Sequence, residues 1–160
     1  MGWRTQLQEM VPAGVPIAVL GVGSVLCGDD AAGMEVIARL EQYDLPGRIL
    51  LCAGSTAPEN FTGVIKKFAP TYLIVIDAAY MEKPPGTIAI IPAEAIDGMG
   101  FSTHMLPMSV MLNYLRQELQ MEVICIGIKP QSTEFGSAMG SVVEAAVNQL
   151  TDALHELCCG

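Results

Sequence analysis

Apolar residues along this chain fall into short continuous runs, separated by longer stretches in which they recur every three or four positions. The runs "PIAVLG" (16–21), "RILLCA" (48–53), "TYLIVID" (71–77) and "EVICIGI" (122–128) are rich in β-branched and aliphatic side chains. Runs of this length without polar alternation read as strands covered on both faces. Helical spacing occupies the intervals. Residues 30–42 place Met34, Ile37, Ala38 and Leu40 largely on one face, and 58–68 open with Pro58 at a first-turn position followed by Glu59. Further helices are predicted over 107–119 and from about 137 to 157. Residues 1–15 receive no element and are read as an N-terminal extension.

One run breaks the alternation. "TIAII" (87–91) follows Asp77 after a connection that contains Pro84, Pro85 and Gly86 and is too short for a parallel crossover. It is therefore expected to be antiparallel. The predicted fold is α/β: a three-layer sandwich with a mostly parallel five-stranded sheet, one antiparallel strand and helices on both faces. Neither a linker nor a repeat interrupts the pattern, so residues 1–160 are expected to form a single domain, and a monomer.

Composition narrows the function classes. With 160 residues, 51% of them apolar, the chain can bury a core without covalent staples. Eight Lys and Arg against 17 Asp and Glu give a net charge of -9, which repels phosphate-rich partners and argues against nucleic acid. The five cysteines, Cys27, Cys52, Cys125, Cys158 and Cys159, form no C-x-x-C pair and fit reduced thiols in a cytoplasm. The sequence shows neither a signal-peptide h-region nor an apolar span long enough for a membrane, so a cytoplasmic protein without membrane insertion is expected.

Chemistry concentrates where strands end. "GVGSVLCGDDAAG" (21–33) joins the first strand to the first predicted helix and carries adjacent Asp29 and Asp30. Its glycines do not match G-x-G-x-x-G, no G-K-[ST] follows, and two carboxylates at a helix start repel a pyrophosphate while suiting the helix dipole. The turn thus suits a cation better than a nucleotide. Asp77 closes the most apolar strand, and a charge there is costly to bury unless paired or ligating. In a doubly wound sheet the first and third strands neighbour each other at the switch point, which brings Asp30 and Asp77 into one crevice. Taken alone, Asp30 reads as a first-turn acid and His104, in "GFSTHMLP", as a surface or capping residue. Two carboxylates and an imidazole together suit a divalent nickel or zinc with an open position. His155 falls in the last helix and is read as solvated.

These pieces, in this order, resemble the nickel-iron hydrogenase maturation endopeptidases, particularly the type serving hydrogenase 3 of formate hydrogenlyase. The resemblance runs from about residue 16 to 150. It rests on "VLGVGSVLCGDDAAG", "GSTAPEN" (54–60), "LIVIDAAYMEKPPGTIAII", "STHMLP" with "LNYL" (112–115), and "GIKP" (127–130). It implies a peptidase that removes a C-terminal extension from the hydrogenase large subunit precursor after nickel has been inserted there. It places the catalytic and metal-contacting roles on Asp30, Asp77 and His104, with Asp29 as the companion acid, and nickel arriving with the substrate.

Three positions depart from the family pattern: Ser24 where Asn is usual, Ala31 where Gly is usual, and Ala53 where an Asp is frequent. Ser24 retains hydrogen-bonding capacity, and Ala31 is acceptable if its φ is negative. Two mechanisms stay open, one in which the metal polarises the scissile carbonyl or activates water, the other in which a carboxylate such as Asp30 is the general base. Cys27 beside the turn is an alternative nucleophile. Substrate contacts are expected from Asp29, Ser24, Glu59, Asn60 and Lys129, the last facing an acidic or carboxylate-bearing tail. Two other classes compete: a non-catalytic nickel-sensing or docking module for the large subunit, and an aspartate peptidase of the germination-protease type.

Overall fold

The computed structural model describes residues 2–91 and 105–160. Its five strands are β1 (Ile17–Val22), β2 (Ile49–Ser55), β3 (Tyr72–Ala78), β4 (Ile88–Ile91) and β5 (Glu122–Ile128), in the order β2-β1-β3-β5-β4. All neighbouring pairs are parallel except β4 with β5, where Ile88 faces Ile128 and Ile91 faces Cys125. The short proline-containing connection after Asp77 dictates that reversal. The α-helices among the described residues are α1 (Trp3–Met10), α2 (Ala32–Leu40), α3 (Thr62–Phe68), α4 (Met105–Glu118) and α5 (Ser141–Cys159).

The pleat sorts the strand residues into two cores. Ile17, Val19, Ile74, Ile76, Ile124 and Ile126 pack with Val36, Ile37 and Leu40 of α2 and Val143, Val147, Leu150 and Leu154 of α5. Their sequence neighbours Ala18, Leu20, Leu73, Val75, Val123 and Cys125 turn to the opposite face, against Ile65 of α3 and Met108, Leu112 and Leu115 of α4. Both faces of the central strands are thus covered, the physical reason that β1 is buried along its whole length. Three layers result, as the apolar runs predicted. Among the described residues, no helix is long and apolar enough to cross a membrane.

Four local differences from the sequence reading have identifiable causes. Residues 3–10 are helical, because Trp3, Leu7 and Val11 recur every fourth position and dock onto the α5 side of the core. The predicted 30–42 helix begins as a 3-10 turn over Gly28–Ala31, and its buried face is Ala32, Gly33, Val36, Ile37 and Leu40, leaving Ala38 exposed. A 3-10 turn over Pro58–Phe61 likewise precedes α3. Helix α5 starts at Ser141 rather than near 137, since Gly140 is extended and its amide is taken by Asp29.

Candidate active site

The segment after β1 doubles back on itself. Gly23 has φ +135°, and a Cβ there would lie 2.0 Å from the carbonyl oxygen of Asp30, so only glycine lets the chain return this closely. The Gly23 amide donates to the Ser55 carbonyl (2.9 Å) at the end of β2, where Ser55 itself holds φ +53°. A non-glycine residue in that region stores backbone strain, and such strain gathers at functional sites. Ser55 carries no sequence signal for this; its conformation is set by the β1 pairing, which shifts register between Gly21 and Val22.

Asp30 does not act as the cap of α2. Its Oδ2 accepts the Ser24 amide at 2.8 Å, so the carboxylate points back to the end of β1, and it is only 7% exposed. Asp77 is completely buried, with Oδ1 accepting the Ala78 amide at 2.8 Å. Register links the two: Gly21 pairs with Ile76, so Asp77 lies one step beyond, on the strand adjacent to the turn that holds Asp30. The 3-10 turn also packs on the end of β3. Two acids 47 positions apart in sequence therefore lie beyond the carboxyl ends of the adjacent strands β1 and β3, at the switch point. Ala31 has φ -76°, a helical value that needs no glycine.

The neighbouring acid faces the other way. Asp29, 2% exposed, accepts the amides of Gln131 (2.8 Å) and Ser132 (3.1 Å) on Oδ2 and that of Gly140 (2.8 Å) on Oδ1. Its own amide donates to the Ser132 carbonyl at 2.9 Å. Gly28, at φ +56°, makes room for that loop: a Cβ would sit 2.7 Å from the Ser132 oxygen. The Gly136 amide completes the seam by donating to the Leu26 carbonyl at 2.7 Å.

Above these carboxylates stands a rim that the sequence pattern only partly revealed. Lys129, just past β5, has Nζ 5.5 Å from the centre of the Tyr80 ring, and the Tyr80 hydroxyl lies 3.4 Å from that of Thr133. Tyr80, Val25, Leu26 and Phe135 are all exposed. Glu59 and Asn60 are exposed on the 3-10 turn after β2, and the Ser24 hydroxyl accepts the Leu26 amide. Tyr80 carries no sequence signal beyond its place three residues after Asp77.

His104 lies outside the described residues. Among those described, no group of three or more His, Cys, Asp or Glu is arranged to hold a metal ion. His155 is half-buried rather than solvated, because its ring stacks on Tyr43 with centroids 3.9 Å apart. Cys52 and Cys125 are strand interior, and burial pushes their thiols up to about 11 and about 12. Neither is suited to nucleophilic attack. Cys27 is half-buried.

The hydrogenase maturation protease family model matches residues 34–157. The chain belongs to the hydrogenase maturation protease family. It is 34% identical over 152 residues to a putative hydrogenase maturation protease of Methanocaldococcus jannaschii, covering 88% of this chain and 89% of the relative. It is 31% identical over 138 residues to the hydrogenase 3 maturation protease of Escherichia coli, covering 86% and 87%. The crystal structure of a [NiFe] hydrogenase maturation protease from Thermococcus kodakarensis superposes with a TM-score of 0.86 at 25% identity, over 96% of this chain and 99% of the other.

Proposed function

We propose that this maturation protease is an endopeptidase that removes the C-terminal extension of a nickel-loaded [NiFe] hydrogenase large subunit precursor. The observation that carries the reading is the pair Asp30 and Asp77, both buried, at the carboxyl ends of adjacent strands. Two carboxylates with the imidazole of His104 form an oxygen and nitrogen donor set suited to nickel carried in the substrate. The bound metal supplies Lewis acidity toward the scissile carbonyl or an attacking water. The chain's own part is orientation: the Ser24 amide fixes the Asp30 carboxylate and the Ala78 amide fixes that of Asp77. Lys129, Glu59, Asn60 and Ser24 are the rim groups assigned to the peptide, with Lys129 meeting its carboxylates.

The test mixes the protein with its precursor, nickel-loaded or nickel-free, and follows the intact mass of the large subunit. Loss of a C-terminal fragment only with nickel is expected, falling by about 100-fold or more in Asp30→Asn, Asp77→Asn and His104→Ala while their melting curves stay cooperative. Nickel-dependent binding without a change of mass would make the protein a sensor instead. Equal cleavage of nickel-free precursor would remove the metal from the reading.

A further inference from the structure

Two adjacent acids on one 3-10 turn are oriented in opposite directions, and their partners divide the work. Asp30 reaches the end of β1, next to the strand that Asp77 closes. Asp29 reaches the segment from Lys129 to Gly140, which has no regular secondary structure, and both of its oxygens are occupied by main-chain amides there. A buried carboxylate that accepts three amides is a stronger organiser of a loop than any of that loop's own contacts, because each bond is charge-assisted. We propose that Asp29 is a positioning residue: it does not touch substrate but clasps the β5–α5 loop, so that Lys129, Tyr80 and Phe135 form one wall of the peptide cleft above Asp30 and Asp77.

Three further observations support the clasp. The Asp29 amide returns a bond to the Ser132 carbonyl, so one residue of the loop is gripped through both its own N–H and its own C=O. Gly28 brings the turn so close beneath Ser132 that a side chain would not fit. The Leu26 carbonyl holds the Gly136 amide, fixing the loop next to the exposed Phe135. The wall is therefore built on the same turn that presents Asp30. A displaced loop moves the rim and leaves the crevice in place.

The proposal rests on the endopeptidase reading for its kinetic consequence but not for its structural one. Its test has two arms. Amide hydrogen exchange of the free protein is expected to show protection at Gln131, Ser132 and Gly140 reduced by about tenfold or more in Asp29→Ala, with Asp29→Asn intermediate because one amide-type oxygen still accepts. Cleavage of the nickel-loaded precursor is expected to show KM raised about tenfold with kcat changed by less than about threefold, and Asp29→Ala combined with Lys129→Ala is expected to be no worse than the poorer single variant. If Asp29→Ala does not fold, Asp29→Asn carries both arms. Wild-type protection in the variant overturns the clasp. So does a fall in kcat at constant KM, which would place Asp29 among the reacting groups. A wild-type protein that cleaves nothing sinks the endopeptidase reading, while the exchange arm still decides the clasp.

Discussion

One substitution type, glycine to alanine, should have opposite signs at two sites. At Gly28 the backbone sits at φ +56°, and the added methyl would lie 2.7 Å from the Ser132 carbonyl oxygen. The left-handed conformation costs an L-residue about 1 kcal/mol. That oxygen cannot simply retreat, because the Asp29 amide holds it at 2.9 Å, so overpacking adds roughly 1–3 kcal/mol. Gly28→Ala should lose about 2–4 kcal/mol in total, which for a chain of this length lowers Tm by roughly 5–15 °C. Gly63 is exposed in α3, and a Cβ there meets nothing within 4 Å. Gly63→Ala should gain about 0.5–1 kcal/mol from the lost flexibility of the unfolded chain, raising Tm by roughly 1–4 °C. Calorimetry of both variants beside the wild type gives the comparison. A Gly28→Ala protein melting within about 1 °C of the wild type, or a Gly63→Ala protein melting lower, would refute the steric reasoning.

Burial of the thiols makes two measurable predictions. Cys52, Cys125 and Cys158 have their thiols pushed up by burial, from an ordinary 9.0 to about 11, about 12 and about 11 respectively, whereas Cys159 is exposed. At pH 8 a maleimide should label Cys159 at once and those three only in denaturant; prompt native labelling of Cys52 would contradict the packing. Because the folded state holds these protons more tightly, their contribution to stability is complete below pH 9.0 and is lost as the pH rises toward about 11 to 12. Urea midpoints should fall over that interval, more steeply in the wild type than in Cys125→Ala. The Arg48 guanidinium donates to the carbonyls of Val15 (3.0 Å), Cys158 (2.7 Å) and Gly160 (3.1 Å). Arg48→Ala should cost about 1–2 kcal/mol and free the end of α5, so that Cys158 becomes labelled before Cys52; unchanged labelling order would count against that role.

Legibility followed the strength of the physical constraint. Strands covered on both faces must be apolar throughout, so β1, β3 and β5 stood out, and the short connection before β4 forced its direction. The adjacency of β1 and β3 put Asp30 and Asp77 at the ends of neighbouring strands. Helix α1 leaves only a faint trace, because Trp3 and Leu7 are its two stripe residues and Val11, which continues the spacing, lies just past its end. The start of α5 was misplaced because a carboxylate 111 residues earlier captures the Gly140 amide, and no local pattern records such a bond. For the same reason the opposite orientations of Asp29 and Asp30 were invisible: side by side in sequence, the two acids look equivalent. Ser55 in the left-handed region and Tyr80 beneath Lys129 depend on neighbouring strands and loops, not on their own residue types.

The amides gripped by Asp29 lie 102, 103 and 111 positions further along the chain. Contacts of such separation form late, since the intervening loop must be closed before they return any free energy. During synthesis the β1 turn emerges early and waits with its acid unclasped until residue 140 has followed. The seam between the β1 turn and the β5–α5 loop is thus among the last features the nascent chain acquires, and a prematurely terminated product would carry the acids without the loop that Asp29 holds.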